Sequence, residues 1–153
     1  MLNKQFPTVF MLVYIVSASA GASFSAPVFA QPGGTATVIV KIIGLLSEKG
    51  QVKIAMFNSA GTWLGDHPKY STTIDVNSQS VSWELGDVPY GDYGITVFHD
   101  ENKNGKMDKN FLGIPQEPYG FSNNMRVVFR PPSWDKSKFV VTGPTTDVSI
   151  EVK

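Results

Sequence analysis

The strongest constraint in this sequence is a period of two. Val52, Ile54 and Met56 fall on one side of an extended segment and Lys53, Ala55 and Phe57 on the other, the pattern of a strand with one face buried. Thr35–Leu46 precedes it, dense in β-branched residues with Lys41 as its one charge, and Ser47–Gly50 between them reads as a hairpin turn. Further strands are predicted over Ser71–Val76, Ser80–Leu85, Tyr93–His99, Met125–Arg130, Lys138–Thr142 and Asp147–Lys153. Gly, Pro, Asn and Asp clusters separate them, and nowhere does a 3.6-residue apolar period last the 10 to 12 residues that a helix needs. Such strands hide their apolar sides by stacking, so the predicted fold is all-β, a two-sheet antiparallel β-sandwich of seven or eight strands. A closed barrel is the main competitor. Thr62–Tyr70 breaks the alternation and reads as an irregular edge loop or one helical turn.

The N-terminal residues follow other rules. Lys4 precedes an apolar run from Phe6 to Val16, then small residues from Ser17 to Ser25, and no acid occurs before Glu48. The run is short of the roughly 20 residues that span a bilayer. Residues 1–30 therefore read as a secretory signal, cut after Ala30 or, less favourably, after Ala20. Residues 31–35 form a short linker and 36–153 the β-sandwich domain. This predicts a bacterial periplasmic or secreted protein with no stable membrane insertion once the signal is gone.

Composition then removes several function classes. The chain carries 13 Lys and Arg against 13 Asp and Glu, a balance unlike that of a nucleic-acid binder. It has no cysteine, so thiolate catalysis, disulfides and Cys-ligated metals are excluded. His67 and His99 lack a third ligand for zinc. A monomer is expected.

The most specific local motif is Asp100-Glu101-Asn102-Lys103-Asn104-Gly105-Lys106-Met107-Asp108. In the D-x-N-x-N-G-x-x-D pattern, oxygens at positions 1, 3 and 5 converge inside a tight turn, Gly at 6 permits the bend, 7 offers a carbonyl and 9 closes the cage. Asp100, Asn102, Asn104, the Lys106 carbonyl and Asp108 would hold Ca2+, with Glu117 or Asn110 completing the set. Phe111 stands where an EF-hand has its bidentate Glu, which excludes that motif. With two carboxylates and two nearby lysines the site would be weak, about 10⁻⁴ to 10⁻³ M. The alternative is a hydrophilic hairpin in which Asn104-Gly105 supplies the positive φ angles.

Two further segments carry resemblances. In Leu85-Gly86-Asp87-Val88-Pro89-Tyr90-Gly91-Asp92-Tyr93, a Pro- and Gly-containing turn delivers Tyr93 to the start of a strand, where its hydroxyl can bond back to the backbone. This is similar to the corner of transthyretin-like and carboxypeptidase-regulatory-like sandwiches, and compatible with an immunoglobulin-like arrangement. His99-Asp100, the loop after it and Asn110–Asn124 together resemble the signature of the domain of unknown function 2141 family, exported bacterial proteins, over residues 36 to 153. That resemblance implies a fold and a compartment, and no reaction.

Functionally, these features point to a non-enzymatic binding or structural module with a calcium loop. Tyr119, Phe121, Asn123 and Asn124 are the candidate ligand contacts, on an aromatic loop over 111–124 that could take carbohydrate or peptide; the same aromatics could instead form a satellite core. A hydrolase using His99 and Asp100 is the remaining alternative, although Gly120-Phe121-Ser122-Asn123-Asn124 lacks the second Gly of a serine elbow.

Overall fold

The computed structural model describes residues 33–125 and 130–153. The expected signal segment lies outside these residues, as does most of the strand expected at Met125–Arg130. Eight strands are described: β1 Thr35–Ile43, β2 Gln51–Phe57, β3 Tyr70–Asp75, β4 Ser80–Pro89, β5 Gly91–Asp100, β6 Tyr119–Phe121, β7 Phe139–Val141 and β8 Thr145–Glu151, with one helical turn, α1, at Trp134–Ser137. They form an all-β sandwich of two sheets, ordered β4-β1-β8 and β3-β2-β5-β6. β7 pairs with Gly91–Tyr93 of β5, and β6 with Thr96–Phe98 of the same strand.

Alternation places the core. Val38, Val40 and Ile42 of β1, with Val81 and Val88 of β4 and Ile150 of β8, meet Val52, Ile54 and Met56 of β2 and Tyr93, Ile95 and Val97 of β5, all of them buried. Each such side chain contributes roughly 1.5–3 kcal/mol through the apolar area it removes from water. Tyr93 anchors the corner as its position suggests, donating its hydroxyl to Pro89 O at 2.9 Å.

Three details differ from the pattern read in the sequence. β1 and β2 do not form a hairpin. β1 is flanked by β4 and β8, so neither of its edges is open to β2, and residues 44–50 carry the chain from one sheet to the other. β1 and β8 run parallel, with Val40 opposite Val148, whereas the other paired strands are antiparallel. β6 lies inside a segment expected to be a loop, because three residues are too few to show alternation. Its Gly120 is dictated by close approach: a Cβ there would lie 2.8 Å from Ile150 Cγ2 and 2.9 Å from Glu151 O.

The sandwich is stitched along one side. Tyr119 and Lys153 exchange backbone hydrogen bonds at 3.1 and 3.2 Å, and Val152 N donates to Ile43 O at 2.9 Å, so the residues after β8 touch both sheets. On the outer face of β2 and β5 sits a second, aromatic cluster. Trp63 packs on Phe57 (centroids 5.4 Å apart), Trp134 (5.8 Å) and Phe121 (6.3 Å), and its Nε1 donates to Pro132 O. The Thr62–Tyr70 irregularity thus contains, in Trp63, the residue that covers this face.

Candidate functional site

β5 runs directly into the candidate loop, and Asp100, its last residue, is fully buried. One carboxylate oxygen accepts the N–H of Asn104 at 3.1 Å and the other that of Gly105 at 2.8 Å. A buried carboxylate needs such donors to offset its lost hydration. Asn102 Oδ1 accepts Asn104 N, and Asn104 Oδ1 accepts Lys106 N, at 3.0 and 2.8 Å; these local bonds are why amide side chains suit a turn. The two amide nitrogens then converge on one carboxylate: Asn102 Nδ2 donates to Asp108 Oδ2 at 2.6 Å and Asn104 Nδ2 to Asp108 Oδ1 at 2.9 Å. The left-handed residues of the turn are Lys103 (φ 60°) and Gly105 (φ 81°), so the expectation of positive φ at Asn104 is corrected. Asn104 is not among the residues with positive φ, and its side chain makes the turn's bonds.

Glu117 clasps both ends of the loop. It is 7% exposed, and its two oxygens accept the N–H groups of Glu101 (3.2 Å) and Asp108 (3.0 Å). Gln116 N donates to Asp108 O at 2.8 Å. Lys103 reaches sideways to Asp75 at the end of β3, Nζ to Oδ1 2.8 Å. The hydrogen bond from Lys103, helped by one from Gln51, holds the Asp75 carboxyl below its ordinary pKa. Both partners are exposed, so the pair fixes the loop's position more than it stabilises the fold.

His99 is fully buried. Its Nε2 lies 2.6 Å from Lys49 O, and a carbonyl partner requires that nitrogen to carry a proton. Nδ1 makes no hydrogen bond among the described groups, with Glu101 Oε1 3.9 Å away. Of the two residues of the hydrolase alternative, His99 thus holds a backbone carbonyl through Nε2 and Asp100 holds two backbone N–H groups, as Glu117 does beside them.

The four candidate ligand contacts are dispersed in role. Phe121 is buried under Trp63, and Tyr119 is half-buried with its ring 5.9 Å from that of Phe121. Asn123 Nδ2 donates to Lys136 O and Lys138 O, both at 3.0 Å. Asn124 accepts Glu151 N at 2.8 Å and donates to Ser149 O. Both asparagines hold positive φ, 62° and 50°, which Asn tolerates better than most residues. Between them and β6, Ser122 Oγ accepts Ile95 N and donates to Ser137 O, clipping α1 to β5. Lys138 Nζ, after α1, bonds Asp92 at 2.9 Å, which raises the lysine pKa.

Among the described residues, no three His, Cys, Asp or Glu side chains are grouped as a metal centre. An ion at the loop would rest on two carboxylates plus neutral amide and carbonyl oxygens. Nor is any described helix long and apolar enough to cross a membrane.

A family model described as uncharacterized protein conserved in bacteria (DUF2141) matches residues 40–149. The chain belongs to this family. No curated protein and no solved structure gives a match. The span shared with the DUF2141 family takes in the loop, the Glu117 clasp and the aromatic cluster, so these are parts of the domain itself.

Sequence reasoning missed how Asn110 and Glu117 organise the segment after the loop. Part of the signal was present in the spacing, since an Asn three residues before a Gly suits a side-chain-capped turn; the burial of Glu117 among exposed and half-buried neighbours, which makes it need backbone donors, was not.

Proposed function

We propose that this DUF2141 protein is an exported, monomeric, non-enzymatic β-sandwich module whose 100–108 loop binds calcium weakly and so rigidifies the segment it leads into. The observation that carries the reading is convergence: Asn102 and Asn104 both reach the Asp108 carboxylate while the bend they share is drawn onto Asp100. A cation entering there would take the place of the two amide N–H donors now on Asp108. Each Asn Oδ1 uses one lone pair on a backbone N–H and has a second for the ion. The ion would relieve the proximity of two carboxylates in one turn and tighten residues 108–117 through Asp108. The location of His99, Asp100 and Glu117 in backbone hydrogen bonds supports a module without catalysis. Export rests on the leader-like residues 1–30, and cleavage after Ala30 would leave every described strand intact, since β1 begins at Thr35.

Calorimetric titration of the mature domain with calcium, paired with thermal unfolding, tests the reading. With a Kd near 0.5 mM, 5 mM calcium adds about 1.4 kcal/mol by mass action and raises the midpoint by about 4–6 °C in a domain of this size. Asp108→Asn should abolish the shift. Absence of both heat and shift at that concentration leaves the loop a self-capped hairpin and the calcium reading wrong.

A further inference from the structure

The tip that follows the loop is apolar, exposed and held in shape by its own backbone. Asn110 Oδ1 accepts the N–H groups of Leu112 (2.9 Å) and Ile114 (3.0 Å), and Asn110 N donates to Ile114 O at 2.9 Å. The tip is thus ordered by hydrogen bonds, without burial of its side chains: Phe111 is 95% exposed, Leu112 67% and Ile114 54%. Half of the exposed large hydrophobics among the described residues therefore fall within four positions of one hairpin. Between this tip and the wall formed by Tyr119 and Phe121 lies a cavity of about 540 Å³. That volume is within the roughly 300–1,000 Å³ of small-molecule sites.

The charge lining the cavity is one-sided. Among the described residues Lys109 and Arg130 line it and no carboxylate does, in a chain whose acids and bases are equal in number. Among the described residues neither cation takes part in an ion pair. An apolar wall beside two cations suits a molecule with a hydrocarbon body and an anionic head. The body would leave water against Leu112, Ile114, Tyr119 and Phe121, and the head would take charge-assisted hydrogen bonds, bidentate from Arg130 and single from Lys109. A sugar fits worse, because a mostly apolar wall leaves its hydroxyls unanswered.

We propose that this cavity is a binding site for a small amphipathic carboxylate of the fatty-acid type, taken as a monomer. The site is formed with the 100–108 loop closed by its own hydrogen bonds, so the proposal does not depend on calcium.

The test titrates the purified protein with decanoate at pH 8, once with chelator and once with 5 mM calcium, so that failure of the loop reading and failure of this one are separate results. Saturable one-to-one binding is expected in both. Arg130→Gln and Lys109→Gln should each weaken it roughly tenfold. Decanol should bind at least tenfold more weakly than decanoate, and decyltrimethylammonium should not compete. Ile114→Asp, at an exposed position where the fold and melting temperature should be retained, should abolish binding. The proposal is overturned if decanoate gives no saturable signal, if decanol binds as tightly, or if both charge variants bind like the wild type. It also falls if the protein sediments with phosphatidylglycerol vesicles while ignoring free decanoate, since the apolar tip would then be a membrane contact.

Discussion

Replacing Glu117 by Gln removes a single charge and changes almost no volume, so its effect isolates the clasp on the loop. Its two oxygens each accept one backbone N–H, from Glu101 at 3.2 Å and Asp108 at 3.0 Å, in a residue only 7% exposed. Glutamine offers one oxygen and one donor. Whichever way the amide turns, one N–H faces another N–H, and the surviving bond becomes neutral. A hydrogen bond to a charged group contributes about 1.5–3 kcal/mol, and relief from burying a carboxylate returns part of that. The net loss is therefore about 2 kcal/mol. In a domain of this size that lowers the melting temperature by about 6–8 °C. Urea unfolding followed by circular dichroism at pH 7 measures it, and amide exchange at Glu101 and Asp108 should accelerate while exchange in β1 changes less. A loss under about 0.5 kcal/mol, the level of an ordinary surface substitution, would refute the assignment of Glu117 as the loop's clasp.

Two other outcomes follow from the packing. Gly94→Ala would set a Cβ 2.8 Å from Trp63 and 3.0 Å from Trp134, and overpacking of this kind costs about 1–3 kcal/mol; tryptophan emission should shift to the red as the rings are displaced, and unchanged emission with unchanged stability would count against the outer aromatic cluster. Tyr93→Phe deletes the hydroxyl bond to Pro89 O and should cost about 1 kcal/mol at neutral pH. Burial, with a smaller contribution from Tyr70, raises the Tyr93 pKa above its ordinary 10.0. A pKa raised on folding gives stability that is full below the ordinary value and lost as pH climbs through the raised one, so the wild type should lose stability above about pH 10 and the gap to the variant should narrow. Urea midpoints from pH 8 to 11 check this, and parallel profiles would contradict it.

Much of the fold was legible because alternation reports which side of a strand is buried. Val52, Ile54 and Met56 face the core as their spacing requires, and Tyr93 sits at its corner. Alternation does not report which strand lies alongside. It therefore could not tell that β1 is flanked by β4 and β8, or that 44–50 crosses between sheets. The candidate loop was legible for a different reason: its Asn and Asp side chains act on backbone only two to five residues away, within the reach of a local motif. The contacts that settle the surroundings come from far along the chain. Lys49 O takes up His99 from 50 positions away, and Arg130 joins Lys109 at the same cavity. No local spacing encodes such meetings.

The parallel pairing of β1 with β8 has a temporal meaning. The first described strand waits for the last one as its neighbour, and Val152 and Lys153 make the bonds that reach both sheets. A nascent chain that stops short of residue 145 has one flank of β1 bare and its seam unsewn, however long it lingers. Because β1 needs β8 beside it, closure must await release of residues 145–153, and the molecule stays threadable until they emerge.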